Sequence, residues 1–255
     1  MLMVYKNIKY GNSDKLKLDY YAAEEGESKP LFVFFHGGGL EGGDKGDGNS
    51  DVFKYLSDNG ISTATADYRM YPDARFPDFI NDAAQCTAWC RDNLKFSELY
   101  IGGQSAGGYL TMMLAFDKRY LAKYGIRADD RDDVAGYYCD AGQPTVHYNI
   151  LRERGLDTRL IRVDEAAPVY FIDQVVDPEK LPRYEITVSD NDMVCRLEQN
   201  MMLRRTMLHF GYPEDKVKFT LMKGYTHCGY GSVIDSDGLP LYGKMIEKFI
   251  KASGI

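Results

Sequence analysis

Gly103-Gln104-Ser105-Ala106-Gly107 sets a hydroxyl between two glycines, each two positions away. A serine needs a tight turn to lift its hydroxyl clear of the backbone, and small residues at those distances leave room for one. The chemistry such a turn serves is nucleophilic attack on an acyl carbon. A purely structural glycine turn would look the same, so the motif needs company. His36-Gly37-Gly38-Gly39 supplies it. Glycines there can turn backbone N–H groups into a cavity with no Cβ in the way. The amides of Gly37, Gly38 and Ala106 would then receive the negative oxygen of a tetrahedral intermediate, each contributing about 3 kcal/mol. A phosphate cradle is the competing reading of this stretch. It is disfavoured because no Gly-Lys-Ser/Thr follows and the spacing is not that of G-x-G-x-x-G. His36 itself is expected to shape the loop by hydrogen bonding.

Attack by a serine needs a base, and the chain has four histidines: His36, His147, His209 and His227. His209 lies in a helical stretch rich in Met and Leu and is expected to pack or face solvent. His147 falls in an irregular region and could line a pocket. Gly39, Gln104 and Tyr148 are the other candidates for substrate contact. His227 closes Gly224-Tyr225-Thr226-His227, just after a strand and near the C-terminus, where the last member of a Ser–acid–His series belongs. The acid would hold the imidazole in its useful tautomer. Asp190 and Asp192 both qualify, since each follows the strand Tyr184–Ser189; either could instead cap the next helix. Asp173 and Asp177 are more distant alternatives.

Elements that could position these residues are legible as an alternation. Strands are expected at Lys15–Ala22, Leu31–Phe35, Ile61–Asp67, Leu99–Gly102, Val134–Cys139, Tyr184–Ser189 and Val217–Met222. Helices are expected at Asp51–Asn59, Pro77–Asn93, Ala106–Tyr124, Arg196–Phe210 and Tyr242–Lys251. Leu31–Phe35 is a continuous apolar run, which suits a strand covered on both faces. Strands alternating with helices of this length give right-handed crossovers and a mostly parallel sheet with helices on both sides, an α/β fold. Ligands of such sheets bind outside the carboxyl ends of the strands. The Ser, the glycine loop, the acid and the His all sit just after predicted strands. One stretch, Asp140–Pro182, breaks the rhythm with four prolines and is expected to be a lid-like insertion within a single domain spanning residues 1–255.

Composition narrows the partners. The chain has 255 residues, a net charge of −7 and 44% apolar residues. An acidic surface repels phosphate backbones and anionic lipids, so neither nucleic acid nor membrane is expected as a partner. That field mildly disfavours anionic substrates as well, although a local arginine cluster could override it. The five cysteines form no CxxC pair and no zinc spacing. Reduced thiols in a cytoplasmic protein are the expectation, with neither metal nor organic cofactor. The first ten residues lack the apolar core of a signal peptide. Association of two copies through an edge strand or the last helix is compatible with the sequence.

Taken jointly, His36-Gly37-Gly38-Gly39, Asp67-Tyr68-Arg69, Phe76-Pro77, Gly103-Gln104-Ser105-Ala106-Gly107-Gly108, the Asp192 loop and Thr226-His227 resemble the α/β-hydrolase esterases related to hormone-sensitive lipase and the feruloyl- and acetyl-esterase-like group. The resemblance runs from about Lys15 to Phe249. It implies a serine esterase acting on small or short-acyl esters, with acylated carbohydrates among the candidates. In that group the acid follows three residues after a glycine that ends its strand. Ser189 holds that glycine position here, which favours Asp192. Asp67-Tyr68-Arg69 would be structural and near the pocket mouth. The N-terminal helical cap of the larger enzymes is expected to be missing, leaving residues 140–182 to cover the site. Two other readings use the same fold: an amidase resembling kynurenine formamidase, and a non-catalytic ligand-binding relative. Tyr137, Tyr138, Tyr148 and Tyr170 would be candidates for stacking on a sugar or aromatic acyl group.

Overall fold

Leu31–Phe35 forms a strand in which every side chain is buried. In the computed structural model, which describes residues 3–23, 28–46 and 48–252, it lies near the middle of an eight-stranded sheet. In chain order the strands are β1 (Met3–Lys9), β2 (Lys17–Ala22), β3 (Leu31–Phe35), β4 (Ser62–Ala66), β5 (Leu99–Gln104), β6 (Gly136–Asp140), β7 (Arg183–Asn191) and β8 (Val217–Thr226). Their order across the sheet is β1-β2-β4-β3-β5-β6-β7-β8. The pairs of β2 with β1 and β4 are antiparallel, and all the others are parallel. The central strands therefore end at one edge, as the sequence pattern required.

The helices are α1 (Ser50–Asp58), α2 (Asp78–Asn93), α3 (Ala106–Phe116), α4 (Arg119–Ala122), α5 (Tyr148–Glu153), α6 (Arg196–His209) and α7 (Leu241–Lys251). Strand side chains alternate between two cores. Phe32, Phe34, Tyr100 and Tyr138 pack with Val52, Phe53 and Leu56 of α1 and Ile246 and Phe249 of α7. Leu31, Val33, Phe35 and Ile101 pack with α2, with Leu110 and Met113 of α3, and with Leu203 and Met207 of α6. Each such fully buried side chain contributes on the order of 2 kcal/mol, which is what fixes the β3–β5 register beneath the site.

One expectation needs correction, and one strand was missed. The helix expected over Ala106–Tyr124 breaks after Phe116, because the buried Asp117 side chain caps the next turn. Its carboxylate accepts from the Arg119 amide at 3.2 Å and from the Arg119 guanidinium at 2.8 and 2.7 Å. β1 was not anticipated. It is a largely exposed edge strand, so half-buried alternation never marks it. Residues 140–182 supply core as well as cavity lining: Gln143, Tyr148 and Thr158–Ile161 border the cavity next to the residues that follow Asp192. Val146, Ile150, Leu151, Ala166 and Ala167 sit in the core, while 157–163 between them and 176–180 after them are exposed.

Candidate active site

β5 runs into α3 through Ser105, whose backbone lies at φ 56°, ψ −110°. This is a strained conformation for a residue with a Cβ. The turn is closed by the Ser105 amide, which donates to the Asp140 carbonyl at 2.8 Å. Gly103 and Gly107 are dictated by contact. A Cβ on Gly107 would stand 1.8 Å from the Phe35 carbonyl oxygen, and one on Gly103 would stand 2.5 Å from the Gly107 carbonyl. Both lie far inside van der Waals range, so the helix can enter this close to β3 only with glycine at those positions.

β7 and β8 continue past their expected ends, and this decides which carboxylate meets the histidine. The pairing shifts register between Ser189 and Asn191, after which Asn191 pairs with Thr226. The next residues, Asp192 and His227, therefore emerge side by side. His227 Nδ1 lies 2.6 Å from Asp192 Oδ1, and His227 Nε2 lies 2.8 Å from Ser105 Oγ. The Asp190 carboxylate instead accepts from the Gly224 amide at 2.8 Å and pins the two strands at the bulge. The Asp192 side chain is 1% exposed, that of His227 25%. Burial pushes the Asp192 carboxyl up. The hydrogen bond and charge of His227, the Met193 amide and the positive charge of Arg196 outweigh that and hold it below its ordinary value.

The glycine loop lies against this triad. Gly38 takes φ +103°, and a Cβ there would sit 2.0 Å from the Gly42 carbonyl oxygen. The loop's carbonyls are tied outward: His36 O accepts from the Tyr68 hydroxyl at 2.9 Å, Gly38 O from the Gly42 amide at 3.0 Å, and Gly39 O from the Asn149 side chain at 2.9 Å. Among the described residues, none accepts a hydrogen bond from the amides of Gly37, Gly38 or Ala106. Gly37 borders the nucleophile, since a Cβ on it would be 3.4 Å from the Ser105 Cβ. His36 stacks on Tyr68 with ring centroids 4.5 Å apart and plays the loop-shaping part expected of it.

The substrate-contact candidates divide. Tyr148 lines a cavity of about 430 Å³ that opens between residues 158–161 and the stretch Met193–Arg196, which directly follows Asp192. Its hydroxyl stands over Gly39, where a Cβ would come within 1.9 Å of it. His147 cannot contact a substrate. It is 1% exposed, wedged between the rings of Tyr109 and Tyr148, and its Nδ1 caps α5 by accepting from the Asn149 amide. Desolvation holds it neutral, well below its usual value. Gln104 turns from the cavity to donate to Asp140 at 3.1 Å. Tyr137 and Tyr138 are core residues, and Tyr170 is exposed on the 3₁₀ turn Pro168–Phe171. A wider hollow of about 600 Å³ around Arg204 and Glu214 lies at the start of β8, the end of that strand away from His227. Among the described residues no group of three or more His, Cys, Asp or Glu could hold a metal ion.

Sequence reasoning passed over Asp140. It ends β6, fully buried, and its carboxylate accepts from the Tyr230 hydroxyl and from Gln104. Tyr230 lies three residues beyond His227 and Gln104 precedes Ser105, so this carboxylate joins the two loops that must meet. Its position at a strand end on the ligand-binding edge was the only available signal. Burial raises its carboxyl to about 6, offset in part by those two hydrogen bonds. With the folded value raised, stability from this group is full below the ordinary carboxylate range and is lost as pH climbs through about 6. Asp192, whose value is lowered, works oppositely and below that window. Asp140→Asn should therefore flatten the fall in Tm between pH 4 and 6, a span worth up to about 3 kcal/mol. An unchanged Tm–pH curve would contradict this assignment.

Comparison with known proteins agrees on the fold. Three solved structures cover 98% of this chain. A carbohydrate esterase from gut microbiota superposes with a TM-score of 0.76 at 17% identity, over 95% of its own length. A Lactobacillus rhamnosis esterase inhibited by a tributyrin phosphonate gives 0.77 at 16% identity, over 85%. A Thermogutta terrifontis esterase with butyrate bound gives 0.74 at 18%, over 94%. The chain has the α/β-hydrolase fold. Within it, residues 18–130 match the BD-FAE family model. A probable isoprenylcysteine alpha-carbonyl methylesterase of Arabidopsis thaliana is 31% identical over 121 residues, 45% of this chain and 28% of that protein. A carboxylic ester hydrolase of Mycobacterium tuberculosis is 29% identical over 120 residues, 45% and 32% respectively. The matched stretch thus spans about a third or less of these curated relatives. The family-model match, residues 18–130, holds the glycine loop and the Ser105 turn; Asp192 and His227 lie outside it. No described helix is long and apolar enough to cross a membrane.

Proposed function

We propose that this protein is a serine carboxylic-ester hydrolase that works through an acyl-enzyme on small or short-acyl esters. The observation that carries the reading is the unbroken hydrogen-bonded line from Ser105 through His227 to Asp192. Ser105 Oγ attacks the ester carbonyl while His227 Nε2 takes its proton, and the resulting imidazolium is steadied by Asp192. The carbonyl oxygen, now negative, is received by the amides of Gly37, Gly38 and Ala106, which have no competing acceptor among the described residues. His227 then returns the proton to the departing alcohol. Water, activated by the same imidazole, attacks the acyl group and frees the serine.

Two supports bear on chain length. The cavity beside the triad is modest, and one structural neighbour was solved with butyrate in place. A 4-nitrophenyl ester series tests the idea. Acetate and butyrate should exceed decanoate in kcat/KM by about tenfold or more, since a chain longer than its pocket forfeits the burial that would favour it. Peak activity on the decanoate would sink the short-acyl reading.

A further inference from the structure

α6 begins with Arg196, which lines the cavity beside the triad yet is only 3% exposed. A guanidinium held that far from water ordinarily faces a carboxylate, because an unpaired buried charge is costly. This one does not. Its partners are neutral: the Ala141 carbonyl, the Gln143 side-chain oxygen at 3.2 Å and the Met193 sulfur at 3.8 Å. Among the described residues no carboxylate lies within ion-pairing distance of it. The charge felt from Asp192 comes from beyond that distance, and the Asp192 carboxylate already serves His227.

The rest of the lining has the same bias. Gln199 spends its side-chain oxygen on the Thr145 hydroxyl at 2.8 Å, which leaves its N–H₂ group as a donor. Tyr148 brings a hydroxyl. Arg159 lies at the rim, paired with Asp157. Among the described residues no acidic side chain lines the cavity, although the chain as a whole carries a net charge of −7. Around the mouth stand exposed apolar side chains: Ile161 at 58%, Leu160 at 47%, Met193 at 44% and Val194 at 92%.

We infer that the cavity beside the triad is a subsite for a carboxylate, and that the substrate is an ester whose non-reacting portion carries an apolar body ending in a carboxylate held by Arg196. This deepens the ester-hydrolase reading and rests on it. Planar bidentate recognition of a carboxylate is what a guanidinium does better than an ammonium. The apolar rim covers the body between the ester and the anion.

Two matched pairs of esters test the subsite and tell which side of the ester enters it. On the alcohol side, 4-acetoxybenzoate is compared with 4-acetoxybenzamide. On the acyl side, mono-4-nitrophenyl adipate is compared with the same ester of adipic acid half-amide, each corrected for spontaneous hydrolysis. In the wild-type protein the charged member of one pair should be favoured in kcat/KM by about tenfold or more, as befits a charge-assisted hydrogen bond. That ratio should shrink in 0.5 M NaCl, fall to near unity in Arg196→Gln, and be partly kept in Arg196→Lys. The ratio is read within one protein sample, so a general loss of activity in a variant cancels. Hydrolysis of both neutral esters with no preference for either charged partner overturns the carboxylate subsite alone. Failure to hydrolyse any of the four overturns the ester-hydrolase reading and the subsite with it.

Discussion

Ser105→Ala is expected to lower kcat/KM for 4-nitrophenyl acetate by about 10⁴- to 10⁶-fold while leaving the fold intact. The size of the loss follows from what remains. The amides of Gly37, Gly38 and Ala106 would still polarise the carbonyl, and His227 could still activate a water, so turnover should stay above the uncatalysed rate. What is lost is the oxygen 2.8 Å from the imidazole, already in position to attack. Stability should change little. Alanine has the same Cβ at φ 56°, so the backbone strain is unaltered, and one partly buried hydrogen bond to His227 contributes about 1 kcal/mol. The check is steady-state kinetics beside a thermal melt. A variant with the same melt and undiminished turnover would remove Ser105 from the mechanism.

Asp192→Asn should cost about 10³- to 10⁴-fold in kcat. An asparagine can turn its N–H₂ toward His227 Nδ1, which favours the tautomer with the proton on Nε2. That nitrogen can no longer accept from Ser105. Asp190→Asn is the matched control. Its oxygen can still accept from the Gly224 amide, so its kcat should stay within about twofold of wild type. If the two effects came out exchanged, Asp190 would be the acid.

The choice between those two aspartates shows where sequence reading runs short. Both follow the same strand, and spacing alone gives no reason to prefer either. The likeness to known esterases pointed to Asp192, and the physical reason is the register shift between Ser189 and Asn191 that brings residue 192 beside residue 227. A bulge leaves no mark in local composition. Central strands were legible because two-sided burial demands unbroken apolar runs, and Leu31–Phe35 matches its expected bounds. The edge strand β1 was not, for the opposite reason. His147 was a pocket candidate because a histidine in an irregular stretch looks exposed; the packing of Tyr109 and Tyr148 around it is visible only in three dimensions. Asp140 and Arg196 were missed because a polar residue at the end of a strand or the start of a helix usually faces solvent. Both are buried here, and each meets groups distant in sequence.

Gly103 and Gly107 illustrate the converse case. They were read from the sequence as room for a turn, and the contacts with Phe35 make that reading quantitative. The turn is therefore specified by steric exclusion across three elements, β3, β5 and α3, and its strain is held by the packing around it.

The central claim is that Ser105 is the atom donor for a covalent intermediate, activated where it stands. Reaction of the folded protein with a small fluorophosphonate, followed by peptide mass spectrometry, tests it most directly. A single adduct on Ser105, absent after unfolding the protein before exposure, is the expected result. Labelling of another residue, or folded protein left unmodified, would contradict the account.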